Sequence, residues 1–172
     1  SGIRGLWKCL DYNGNNIVSL AEIDKFVIER FPLLNHKPAL MRAYKKTTLK
    51  DGDGDSWVEK KEFRALLWNL FYFNKVFQIF ELIDEDNDRR LTLDEFKSNL
   101  SVLGMSLSDE DSEKEFKLID KNNGGIVLFI EFCDWYTNRY VEDFLKESES
   151  DDDDDDNLND GDDNANDFGR VE

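Results

Sequence analysis

Asp51, Asp53, Asp55 and Glu62 stand at the first, third, fifth and twelfth places of the stretch Asp51-Gly-Asp-Gly-Asp-Ser-Trp-Val-Glu-Lys-Lys-Glu62. At those offsets a turning backbone brings carboxylate oxygens inward around one hard cation. Trp57 would add its backbone carbonyl from the seventh place, and Glu59 would reach the ion from the ninth, directly or through a water. Five acidic side chains in twelve residues repel one another strongly unless something cationic sits among them. The chemistry read here is therefore the binding of calcium.

The same pattern recurs from Asp11, Asp84 and Asp120, so the repeats start 40, 33 and 36 residues apart. Each interval holds a helix, a loop and a second helix, which predicts four helix-loop-helix units. The first loop offers Asp11, Asn13, Asn15, the Ile17 carbonyl, Ser19 and Glu22. With only two carboxylates it should bind more weakly. Asn16 fills its sixth place, where a left-handed backbone is wanted and Asn is tolerated. The third loop offers Asp84, Asp86, Asp88, the Arg90 carbonyl, Thr92 and Glu95. Its sixth place is Arg89, where a left-handed conformation costs roughly 1–2 kcal/mol, and Ser56 is expected to make the same departure in the second loop. The fourth loop keeps Asp120, Asn122, the Ile126 carbonyl and Glu131. Gly125 suits its sixth place, but Gly124 and Leu128 supply no side-chain ligand at the fifth and ninth. Ligand counting orders the affinities as second, third, first, fourth.

These loops need elements to hold them. Val18, Val58, Leu91 and Val127 occupy the eighth places, and such residues fit a short antiparallel pairing between two loops. Ile3, Leu6, Trp7 and Leu10 before the first loop, Ile23, Phe26, Val27 and Phe31 after it, and Phe96, Leu100 and Leu103 after the third repeat with helical periodicity. Pro32 ends one helix and Pro38 opens the next. Ser108, followed by Asp109, Glu110 and Asp111, reads as an N-cap with an acidic first turn. Residues 63–83 are apolar nearly all round, so a helix there must be covered, and the two halves of the chain are expected to pack around it. Its aromatic stripe of Trp68, Phe71, Tyr72, Phe73, Phe77 and Phe80 reads as core, and His36, alone in the connector, as a surface residue.

Forty per cent of the 172 residues are hydrophobic, enough for a core, and the net charge is −17. From Glu147 to Glu172 thirteen acidic residues face Arg170 alone, a net of −12, which predicts a solvated, disordered acidic tail. Nucleic acid is excluded as a partner, because phosphate binding needs clustered Lys and Arg. Cys9 and Cys133 lack CxxC spacing and fit free thiols in a reducing compartment. The apolar runs fall short of a bilayer-spanning length and no secretory signal is visible, so a soluble intracellular protein is expected. The chain opens on Ser1-Gly2 rather than Met, as a fragment would, leaving any N-terminal lipidation signal out of sight. There is no nucleophile-base-orienter set or phosphate loop, so an enzyme is not expected.

Four such loops in helical context identify a member of the EF-hand calcium-binding superfamily over residues 1 to about 145. The resulting expectation is an all-α fold of two compactly packed EF-hand pairs, residues 1–70 and 71–146, with β pairings between loops and the acidic tail of residues 147–172. The stretch Leu67 to Trp135 resembles the flagellar calcium-binding proteins of protists, through Phe80-Glu-Leu-Ile-Asp84, Leu93-Asp-Glu-Phe-Lys97 and Phe129-Ile-Glu-Phe-Cys-Asp-Trp135. That resemblance implies a calcium-responsive protein of a flagellum or cilium, attached to membrane through an acylated N-terminus. The missing acylated start and the Asp tail depart from that family.

The leading expectation is a calcium sensor or calcium-dependent adaptor, with dissociation constants on the order of 10⁻⁷–10⁻⁵ M. Its target would be a protein bound through an aromatic-rich surface, and a dedicated one, since only Met41 and Met105 provide plastic packing. The alternatives are a calcium buffer and a structural cytoskeletal or axonemal protein.

Overall fold

Seven helices and four two-residue strands make up the described residues, and the first and third loops supply the caps of the helices that follow them. The structure, a computed structural model, describes residues 2–149, the side chains of 141–149 excepted. The helices are α1 (Ile3–Leu10), α2 (Leu20–Arg30), α3 (Lys37–Lys46), α4 (Phe63–Ile83), α5 (Leu93–Ser98), α6 (Asp109–Ile119) and α7 (Phe129–Glu149). The strands are β1 (Ile17–Val18), β2 (Val58–Glu59), β3 (Arg90–Leu91) and β4 (Val127–Leu128). They pair antiparallel in two ribbons, with Val18 opposite Val58 and Leu91 opposite Val127, the register the aliphatic eighth places predict. All four of these side chains are buried.

The caps explain where the helices begin. Ser19 and Thr92, at the ninth places of their loops, each accept a hydrogen bond from the N–H of Glu22 and Glu95, whose carboxylates bond back to the cap N–H. The ninth and twelfth places of the loop are thus the two ends of a capping box. Ser108 caps α6 by accepting from the Asp111 N–H at 3.2 Å, and its acidic first turn suits the positive end of the helix dipole. Pro32 opens a 3₁₀ turn after α2, and Pro38 lies in the first turn of α3.

Helix α4 is the axis of the fold. Phe63, Leu66, Leu70, Tyr72, Phe73, Val76, Phe77, Phe80 and Ile83 are buried along its 21 residues. Residues of both halves meet it. Trp7 sets its ring edge-on to Phe63 at 5.3 Å, and Phe129 and Phe132 reach Phe77 and Phe80 at 4.9 and 5.3 Å. The Tyr72 hydroxyl bonds Thr137 Oγ1 at 2.9 Å, while Arg42 of α3 pairs with Asp134 of α7 and stands over the Phe73 ring. The described residues up to Arg139 form one compact unit, with α4 running through position 70. The second unit, Tyr140–Glu172, holds the end of α7 through Glu149 among the described residues, and the rest of the expected acidic tail lies outside them.

Three sequence expectations change here. Phe71 is 55% exposed and Trp68 only half-buried, because α4 turns an outward line of Arg64, Phe71, Lys75, Gln78 and Leu82 away from the core. Leu100 and Leu103 do not continue α5. Its last turn ends at Ser98, where Asn99 turns its amide onto the Glu95 carbonyl at 3.0 Å, and successive turns lead to left-handed Gly104. His36 is no free surface residue. Its ring is half-buried, 5.0 Å from Phe77, and its Nδ1 bonds Asn74 Oδ1 at 2.6 Å.

Candidate metal centre

In the first, third and fourth loops one buried aspartate organises the turn. Asp11 accepts hydrogen bonds from the N–H groups of Asn15 and Asn16, both at 3.1 Å. Asp84 does the same with Asp88 at 3.2 Å and Arg89 at 2.9 Å, and Asp120 with Gly124 at 3.0 Å and Gly125 at 2.8 Å. The third-place oxygen of Asn13 or Asp86 adds a bond to the same fifth-place N–H, and Asn15 and Asp88 receive the N–H of Ile17 and Arg90. Such bonds fix the side chains with their remaining oxygens converging. In the third loop, oxygens of Asp84, Asp86 and Asp88 lie within 4.8 Å of one another.

The backbone permits this through left-handed residues at two places in each of these three loops. Asn16, Arg89 and Gly125 take φ of 64°, 65° and 79° at the sixth places, so Arg89 does bear the strain its sequence position implied. Sequence reasoning missed the fourth places, where Gly14, Gly54, Asn87 and Asn123 take φ of 69°, 88°, 58° and 54°. The signal was there, since Gly and Asn are the residues that adopt this region most readily. Gly124 costs the fourth loop a ligand, and a Cβ there would lie 2.6 Å from Asn122 Oδ1, a side-chain end that would have to turn aside.

The twelfth-place glutamates all fold back over their loops. Glu22 takes the Asn13 amide at 3.0 Å and the Ser19 N–H at 2.9 Å. Glu95 takes the N–H of Glu85 at 3.1 Å and of Thr92 at 2.8 Å, and Glu131 takes the Asn122 and Leu128 N–H groups at 3.2 and 3.0 Å. Burial would raise the Glu95 carboxyl, but the Thr92 hydroxyl and the N–H donors around it outweigh burial and hold it below the usual carboxylate range. Asp84 moves the other way, because burial raises it against the N–H bonds of Arg89 and Asp88. The third loop thus holds one carboxylate ready ionised and one whose charge is costly without a cation beside it. The carbonyl residues sit as their spacing implies: Ile17 and Arg90 open β1 and β3, and Trp57 and Ile126 directly precede β2 and β4.

The second loop is built differently. After Lys46 the chain widens into a π turn over Thr47–Asp51, with the Thr47 and Thr48 hydroxyls bonded back to the carbonyls of Ala43 and Tyr44. Asp51 is exposed where its three counterparts are buried. Its carboxylate meets Lys46 Nζ and, at 2.9 Å, Asn69 Nδ2 of α4, while the Gly54 N–H goes to the Thr48 carbonyl at 2.9 Å. Ser56 is not left-handed, which corrects the expectation that it departs as Arg89 does. The physical reason is the missing pull: Asp51 does not receive the fifth- and sixth-place N–H groups that wind the other three loops. Here oxygens of Asp53, Asp55 and Glu59 are the ones within 4.8 Å of one another. The N–H of Asp55 and the Lys61 ammonium hold Asp53 below the usual range. Glu62 still takes the Asp53 and Glu59 N–H groups at 3.2 and 2.9 Å, and packs so closely that a Cβ on Gly52 would lie 2.2 Å from its Oε1.

All-oxygen donor sets of this kind suit a hard divalent cation, and the third loop fits one as it stands. Paired loops, each with its capping glutamate and strand partner, define an EF-hand calcium-binding protein. Residues 73–137 match the family model of the EF-hand domain pair. The chain is 29% identical over 149 residues to the flagellar calcium-binding protein TB-17 of Trypanosoma brucei brucei, covering 80% of this chain and 63% of that one. It is 26% identical over 157 residues to clytin of Clytia gregaria, covering 77% and 79%, and 40% identical over 64 residues to obelin of Obelia geniculata, covering 34% and 33%. The resemblance to flagellar calcium-binding proteins is thus found along most of the chain, and calcium is the ion of these loops.

Proposed function

We propose that the protein is a calcium sensor or calcium-dependent adaptor acting on a protein target. The observation that carries this reading is the double use of Glu95. It is the twelfth-place ligand of the third loop and also the residue whose carboxylate closes the capping box of α5 with Thr92. When bound, calcium supplies positive charge among the carboxylates. Any turn of the Glu95 carboxylate toward the loop is a change in the start of α5, and Glu62 closes the same kind of box on the 3₁₀ turn Lys60–Glu62 that leads into α4.

Helix α4 runs from the end of the second loop to the start of the third, so movement at either end is felt by residues of both halves. Apolar side chains already at the surface, among them Phe71 and Leu82 on α4, supply the edge of a target-binding surface. The relatives named flagellar calcium-binding proteins support a place in a flagellum or cilium. Among the described residues no helix is long and apolar enough to cross a membrane.

Titrating calcium into the chain with a hydrophobic fluorescent dye separates a sensor from a buffer. Dye emission is expected to rise several-fold with calcium and to fall back with chelator. Unchanged emission would show a buffer and sink the sensor reading.

A further inference from the structure

We propose that Asn69 is a positioning residue for the second loop: together with Lys46 it holds Asp51 outside the ligand cluster, so this loop, the one with most carboxylates at ligand places, takes calcium only after that hold is released. The three sister loops provide the control within one molecule. Their first aspartates are buried and receive the N–H groups of the fifth and sixth places, whereas Asp51 is exposed and receives side-chain donors from outside the loop. Asn69 is itself 3% exposed, and its Nδ2 lies 2.9 Å from both Thr47 Oγ1 and Asp51 Oδ2. It therefore joins α4 to both ends of the π turn.

That turn is the second half of the device. Over Thr47–Asp51 the backbone is wound one residue wider than an α-helix, a feature that recurs at functional sites. Rewinding it would carry Asp51 toward Asp53, Asp55 and Glu59, and would break the Gly54–Thr48 backbone bond and the Asn69–Asp51 bond together. Because Asn69 is part of α4, the state of the second loop is written onto the helix that leads to Asp84. Ligand number alone puts the second loop first. Readiness of the ligands puts the third loop, with Asp84, Asp86 and Asp88 already converged, ahead of it.

This inference rests on the loops being calcium sites, and its test is read from the second loop alone. The full chain carries Asn69→Leu or Lys46→Met, and terbium is titrated as a calcium surrogate while its luminescence is excited through tryptophan. Trp57→Phe counterparts isolate the signal that belongs to this loop. Asn69→Leu is expected to lower the half-saturating terbium concentration roughly tenfold, the effect of removing one hydrogen bond to a charged acceptor. Lys46→Met, at a more exposed ion pair, is expected to lower it about two- to threefold. Circular dichroism checks the fold, and if Asn69→Leu unfolds, Lys46→Met decides. An unchanged or raised half-saturation, or no Trp57-dependent signal in any chain, overturns the proposal. The dye response tests the sensor reading separately, so each can fail without the other.

Discussion

Glu95→Gln is expected to weaken calcium binding at the third loop by roughly 100-fold while leaving the fold intact. The substitution removes one negative charge and the bidentate ligation that the twelfth-place glutamate offers a calcium ion. It keeps the shape, and Gln retains an oxygen that accepts from the Thr92 hydroxyl and N–H, so the capping box of α5 survives. The low proton affinity of Glu95 marks how strongly its surroundings favour the charged form that Gln cannot supply. Calorimetric calcium titration of the two chains measures this, and a loss smaller than about fivefold would contradict the role given to Glu95. Glu62→Gln should do less to the first calcium bound, because the second loop is the one whose first ligand is held away.

Phe80→Ala is expected to destabilise the protein by about 3–5 kcal/mol, the range for removing a fully buried aromatic ring. Phe80 is 1% exposed and lies where the two halves meet, with ring centroids of Phe129 and Phe132 at 5.5 and 5.3 Å. Those partners are rigid parts of α7, so the space left would not collapse readily. Its backbone carbonyl accepts the Asp84 N–H at 3.0 Å, which places the third loop directly on the end of this helix. Urea unfolding in chelator measures the core without the ion, and a loss below about 1 kcal/mol would show that α4 is not the axis described here.

Much of this was legible from spacing. The strand register followed from the aliphatic residues at the eighth places, and the burial of α4 followed from a segment too apolar to face water. Ser108 declared its helix because a hydroxyl followed by three acidic residues has a local physical meaning. The carboxylate clusters of Asp53, Asp55 and Glu59 and of Asp84, Asp86 and Asp88 are equally local, since a twelve-residue loop brings its own residues together.

What escaped the sequence depends on partners distant along the chain. Asp51 looks like the strongest first ligand in the molecule until Asn69, eighteen residues later, is seen to hold it. Ser56 carries no mark distinguishing it from Arg89, since its backbone is set by whether Asp51 draws in the loop N–H groups. His36 looked free because nothing in its neighbourhood along the chain announces Asn74 and Phe77. Phe71 shows the converse. On an apolar helix every aromatic reads as core, and only the line of Arg64, Lys75 and Gln78 beside it reveals the outward face.

Calcium is expected to enter the prepared third loop before the restrained second one. Amide NMR spectra recorded through a calcium titration of the isotopically labelled chain test it most directly. Resonances of Asp84–Glu95 are expected to change with the first ion bound, and those of Asp51–Glu62 only at higher calcium, with α4 amides near Asn69 following the second step. If the Asp51–Glu62 amides respond first, or the Asp84–Glu95 amides do not respond at all, the account is wrong.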